Sequence, residues 1–222
     1  MSRGNRHVGV CHRSRRCAAV ILGIVLVLNG AHAVFAQQKK TVLPEHFVLD
    51  RIRVFYAKDG NCAVSPDDVD NSGVPDQVEN VAKQVWAAHR LFCEVLEFPD
   101  LFKSERYPEL TCIQVSIRDR EELGGGNGTA YESSQRARKI PEGKPDDRAL
   151  VLVVASQNDP IKGITPAHEM FHLIQYGATF FKNRWYLEGQ ARWAEHALAA
   201  KGIGELKYSP RGPWPQKAQH LQ

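Results

Sequence analysis

Two histidines four residues apart, with a glutamate directly after the first, form the pattern His168-Glu169-Met170-Phe171-His172. On a helix, four residues turn the chain through about 400°, so both imidazoles leave from one face and can bind one divalent ion together. Glu169, about 100° around the axis, comes within reach of a water on that ion and not of the ion itself, which is the position of a general base. A catalytic zinc of this kind takes three protein ligands and keeps one position for water. Gln175 and Ala178 occupy the places where a glycine and a third histidine would continue the metzincin pattern, so the third ligand comes from further along. Glu188, sixteen residues past His172, is the candidate, with Glu195 in reserve two turns along the same face. The competing role for Glu188 is a surface pair with Arg192, worth about 0.3–0.5 kcal/mol.

A second group of oxygens lies upstream. Residues 68–79 read DVDNSGVPDQVE and fit a twelve-residue calcium loop. Asp68, Asp70, Ser72, Asp76 and Glu79 stand at positions 1, 3, 5, 9 and 12, Val74 offers its carbonyl at 7, and Gly73 makes the turn at 6. A strand and loop precede it, so this would be an EF-hand-like loop with a structural calcium ion. Its alternative is a solvated acidic turn ahead of a helix start, where carboxylates are favoured without any ion.

These residues need elements to hold them. Residues 47–57 alternate apolar and polar side chains and read as one half-buried strand, and 110–117 and 149–155 supply two more, the last apolar enough for the middle of a sheet. Residues 129–132 could form a short edge strand. Apolar side chains from Val78 to Val95 recur at helical steps and predict a helix over 76–96. Pro166 after Thr165 as N-cap, with Gly177 as terminator, delimits the histidine helix. Residues 184–200 form another helix. The glycine run 124–128 reads as a mobile hairpin over the cleft. Tyr176, Tyr186, Tyr208 and His196 are the candidate donors to a developing oxyanion.

The formal charge of +4 on 222 residues is uneven. Residues 1–36 hold five of the 29 basic residues and no acid, leaving 24 bases against 25 acids, which argues against a nucleic-acid surface. That basic start, the apolar run 18–28 and the small residues before Gln37 read as a signal peptide, too short in its apolar part for a stable membrane anchor. Export to the periplasm, cell surface or medium follows. Of the three cysteines past the leader, Cys62, Cys93 and Cys112, no two are spaced as a metal-binding pair, and secretion would permit one disulfide of unassigned pairing with one thiol left over.

The run His168-Glu169-x-x-His172, followed by Trp185-x-x-Glu188-Gly189-x-Ala191-x-Trp193-x-Glu195, resembles the secreted bacterial gluzincin metallopeptidases. These are related broadly to thermolysin and more closely to immune-inhibitor-A-like enzymes. The element order resembles theirs over 47–195, and the specific residues lie within 165–195. The resemblance implies His168, His172 and Glu188 as zinc ligands, Glu169 as general base, and a protein or peptide substrate.

It also implies an α+β, zincin-like fold, with a small twisted mixed sheet on the active-site helix and a glutamate helix after it. The organisation expected is signal peptide 1–36, linker 37–46, peptidase domain 47–202 and irregular tail 203–222. Two departures stand out. Arg192 occupies the place of the acid that orients the first histidine in thermolysin-like enzymes, and only 27 residues follow Glu195, so either a truncated chain or a cleft with one open wall is expected. Two other functions fit the same residues: a non-catalytic calcium-stabilised binding or adhesion module, and a zinc hydrolase of non-peptide bonds.

Overall fold

The structure is a computed structural model of the chain, and it describes residues 41–159, 163–180 and 183–198. The leader, the first part of the linker and the tail 203–222 lie outside the described residues. The described residues form an α+β unit with a five-stranded mixed sheet and three α-helices.

Two strands occupy the region read as one. β1 (Glu45–Leu49) and β2 (Ile52–Tyr56) pair antiparallel around a turn at Asp50, whose φ of 52° is in the left-handed region that Asp tolerates better than branched residues. The alternation seen in the sequence is real, but Asp50 and Arg51 interrupt it. β2 then pairs in parallel with β3 (Leu110–Arg118), and β3 in parallel with β5 (Arg148–Ala155). β4 (Gly128–Arg136) closes the order β1-β2-β3-β5-β4 as an antiparallel edge strand, longer than the sequence suggested and with a register shift between Tyr131 and Gln135.

The period of two assigns each strand residue to a face. Ile52, Val54, Ile113, Val115, Ile117, Leu150, Leu152 and Val154 point into the main core beneath the helices. Phe55 and Ala57 face the other way and pack with Leu43, Cys62 and Ile140. The end of the linker is therefore fixed: Leu43 is 1% exposed, and the Thr41 hydroxyl donates to Glu122. Cys62, Cys93 and Cys112 are all free thiols, so the disulfide that secretion would permit is not formed among the described residues.

The helix α1 (Asp76–His89) carries Asp76 and Glu79 in its first turn, where they oppose the positive end of the helix dipole. Its apolar stripe continues to Phe92, but from Arg90 to Val95 the chain winds as a π-helix, with Leu96 N donating to Leu91 O. The changed winding takes Val95 out of the stripe and leaves it 69% exposed. The helices α2 (Thr165–Ala178) and α3 (Arg184–Leu198) complete the layer, α2 packing against α1, α3, β4 and β5.

On the face opposite the helices, Arg53 of β2 bonds Asp147 just before β5, and both side chains are nearly buried. Lys144 N also donates to Asp147 at 2.8 Å. The Arg53 hydrogen bond holds the Asp147 carboxyl below the usual carboxylate range. A carboxyl with a lowered folded pKa stabilises the fold above its unfolded value near 4 and loses that contribution as pH falls. Asp147→Asn should therefore destabilise the chain by about 2 kcal/mol at pH 7, with the deficit shrinking toward pH 3; thermal unfolding at both pH values measures this.

Candidate metal centre

The helix carrying the two histidines is the most enclosed in the described chain, with every residue from Pro166 to Gln175 buried. Its ends differ from the sequence reading. Thr165 is already helical, Ile164 precedes the first turn without a side-chain cap, and Gly177 belongs to the last turn. The C-terminal carbonyls are satisfied from outside: Arg106 Nη1 donates to Tyr176 O at 2.6 Å and to Thr179 O at 3.0 Å, and Ser104 Oγ donates to Gly177 O at 2.9 Å. These bonds answer the orphan acceptors of the helix end without a left-handed glycine.

The structure brings His168, His172 and Glu188 together, with one ligand atom of each within 4.8 Å of the others. The two Nε2 atoms are 3.0 Å apart, and Glu188 Oε2 and Oε1 lie 3.3 Å and 3.7 Å from them respectively. Tetrahedral bonds of the length zinc makes to nitrogen and oxygen would separate ligand atoms by about 3.3 Å, so these spacings suit that ion. Both imidazoles are buried, whereas Glu188 is half exposed on the solvent side.

The far side of each ring explains this orientation. Gln175 Oε1 is 2.8 Å from His172 Nδ1, while Gln175 Nε2 donates to Leu187 O at 3.1 Å and Gln190 Oε1 at 2.9 Å. The amide oxygen accepts only, so His172 Nδ1 carries the proton and Nε2 keeps its lone pair. Glu195 Oε1 is 3.1 Å from His168 Nδ1, and Arg192 Nη1 donates to Glu195 Oε2 at 2.9 Å. Glu195 thus lies on the far side of His168, where it could position the ring, and not among the ligand atoms at the two Nε2 positions, and Arg192 pairs with Glu195 in place of Glu188.

Charge and burial set the titration of the cluster. Burial alone would lower the His168 pKa, but Glu195, Glu169 and Glu188 outweigh it and raise the value. His172 is lowered, first by burial and then by His168, against the opposing bond to Gln175. For Glu195, burial is outweighed by the bonds and charges of His168 and Arg192, and its carboxyl is lowered. Burial pushes Glu169 up to about 7, with the charges of Glu188 and Glu195 in support and His168 in opposition.

Glu169 borders a cleft of about 320 Å³ whose walls include Gly128, His168, His172, Tyr176, Glu188 and Arg192. At Gly128 an added Cβ would sit 2.7 Å from Glu169 Oε1 and from Thr165 Cγ2, so only glycine lets the first residue of β4 approach so closely. The glycine run ahead of it is a turn after Glu121–Leu123, with Gly124 and Gly125 at φ 64° and 87°. Of the oxyanion candidates, Tyr176 lines the cleft and stacks on His172 with centroids 6.0 Å apart, Tyr186 accepts from Gln190, His196 sits in the last turn of α3 and Tyr208 is outside the described residues.

The acidic loop is only partly assembled as read. Asp68, Asp70 and Asp76 lie within 4.8 Å of one another. Ser72 N donates to Asp68 and Asp70, the Ser72 hydroxyl donates to Val74 O at 3.2 Å, and Gly73 adopts φ 85° as the turn required. Glu79 is drawn off by Lys83, 2.6 Å away, and stands outside the trio.

No family model, characterised protein or solved structure matches the chain. Among the described residues no helix is long and apolar enough to cross a membrane.

Glu195→Gln tests the positioning role. It should weaken affinity for a divalent metal about 10- to 100-fold at neutral pH while the fold persists, as read by competition with a chromogenic chelator. Metal binding must displace protons from the imidazoles, so affinity should fall on acidification, starting above the ordinary imidazole value near 6.5 because His168 is raised. In Glu195→Gln that onset should move to lower pH.

Proposed function

We propose that the chain is an exported zinc endopeptidase of the gluzincin type with a zincin-like fold. The convergence of His168 Nε2, His172 Nε2 and Glu188 on one point, next to buried Glu169 in a cleft, carries the reading. His168, His172 and Glu188 would hold the ion, which when bound supplies Lewis acidity toward water and a carbonyl oxygen.

The remaining steps belong to the chain's own residues. Glu169, raised to about 7 in the metal-free chain, takes the proton of the attacking water and returns it to the leaving amine. Glu195 and Gln175 keep both rings turned with Nε2 toward the ion. Tyr176, which lines the same cleft, offers a hydroxyl to the developing oxyanion. Among the described residues β4 has a strand partner only on its β5 side, and its first residues form one wall of the cleft, so an extended peptide can be held by backbone bonds along that edge. The leader read from the sequence supports export, and Asp68, Asp70 and Asp76 remain the oxygens proposed for a structural calcium ion.

Glu169→Gln should retain bound zinc and lose about 10²- to 10⁴-fold in casein hydrolysis, and chelation should abolish hydrolysis in the unaltered chain. Full activity in Glu169→Gln would overturn the role of Glu169. A zinc-loaded chain that cleaves no peptide would turn the reading to a hydrolase of other bonds or to a binding module. Calcium at millimolar concentration should raise the thermal midpoint, and Asp68→Asn should remove that rise.

A further inference from the structure

We propose a second metal site, for a borderline-soft divalent ion such as zinc, formed by His89, Cys93 and Asp100. One ligand atom from each lies within 4.8 Å of the other two, and His89 Nε2 is 3.2 Å from Asp100 Oδ1. His89 ends α1 and Cys93 lies in the π-helical turn that follows, so the pair repeats the four-residue spacing that puts two side chains on one helical face. The carboxylate again comes from the segment that folds back against the helix.

The donor set selects the ion. Calcium and magnesium take oxygen ligands, whereas one imidazole, one sulfur and one carboxylate suit zinc and its borderline neighbours. Two of the three donors are already held in place. Asp100 Oδ1 accepts from Phe102 N at 3.0 Å, capping the turn Leu101–Lys103, and the His89 ring meets Phe102 edge-on at 5.3 Å. Lys103 approaches only the other carboxylate oxygen, at 3.4 Å, from a side chain 84% exposed that is free to swing away.

His89 and Asp100 border a cavity of about 460 Å³ together with Asp50, Arg51 and Trp86, which gives an ion a path in and leaves room for a water ligand. No described residue lines both this cavity and the His168–His172 cleft. Short π-helical turns within helices are frequent at functional sites, and the widened turn here is the one that carries Cys93.

The same three residue types could instead form a cysteine nucleophile with its base. Burial, helped by Asp100, pushes the Cys93 thiol up to about 12, which leaves it protonated and poorly nucleophilic at neutral pH. A divalent ion displaces that proton: one Co²⁺ or Zn²⁺ binds the sulfur and one proton leaves to solvent.

Cobalt separates the two sites, because a thiolate-to-cobalt charge-transfer band in the near ultraviolet requires sulfur and the His168–His172–Glu188 cluster has none. Titrating Co²⁺ into the reduced full chain should produce that band. It should vanish in Cys93→Ser, weaken in His89→Ala and persist in Glu188→Ala, whatever becomes of hydrolysis. The unaltered chain loaded with two equivalents of zinc should also show a sulfur scatterer at about 2.3 Å in X-ray absorption, a readout that needs no variant to fold. A full chain with no thiolate band at saturating Co²⁺, no sulfur scatterer, or a band unchanged in Cys93→Ser would overturn the proposal.

Discussion

Two buried imidazoles with their Nε2 atoms 3.0 Å apart set the terms for everything around them. Each ring places Nδ1 against an acceptor, Gln175 Oε1 or Glu195 Oε1, so each Nε2 of a neutral ring offers a lone pair. The third group at that point, Glu188, is also an acceptor when ionised. Three acceptors converging on one point repel one another, and leaving either of the two buried imidazoles unsatisfied costs about 1–3 kcal/mol. A single proton can bridge only two of them. A divalent cation, as proposed for this site, serves all three at once.

Holding that corner requires a rigid helix, and the chain invests much of its core in one. Phe171 packs on Phe92 and Phe98 with ring centroids 4.8 Å and 5.5 Å away, fixing α2 against the end of α1. Arg106 and Ser104 bind its last carbonyls, and Gly128 lets β4 press against Glu169 from the other side. The same enclosure that shields the histidines from water raises Glu169 to about 7, close to the range in which a carboxylate serves as a base at neutral pH. Positioning and acid–base tuning thus follow from one packing arrangement.

The parts legible in the sequence were those with a local period. The spacing of His168 and His172, the alternation in β2, the apolar run of β5 and the apolar stripe of α1 all depend on side-chain geometry within one element. What escaped depended on a partner far away. Gln175 was visible only as the residue that breaks a histidine pattern, yet three residues past His172 is a position on the same helical face, which was the available clue. The cap at the end of α2 comes from Arg106, some seventy residues upstream, so a terminal glycine was credited with work done by a guanidinium. The hairpin turn at Asp50 and the π-helical turn at Arg90 alter winding by single residues, below what a periodic pattern resolves.

Arg192 shows how a fixed spacing can mislead when the requirement is physical. The position four residues past Glu188 holds a cation, which by itself suggests that the first histidine lacks an orienting acid. The contacts show α2 and α3 running antiparallel: Gln175 meets Leu187, and His168, seven residues earlier, meets Glu195, eight residues later. Seven and eight residues are both close to two full turns, about 10–12 Å of rise, so nearly equal steps in opposite directions keep the partners in register. Glu188 therefore reaches both Nε2 atoms while Glu195, on the same face two turns on, reaches Nδ1 of the first histidine. Arg192 lies between them in sequence and binds Glu195 Oε2, the oxygen not facing His168, so the residue that looked like a defect pairs with the acid that stands beside that ring.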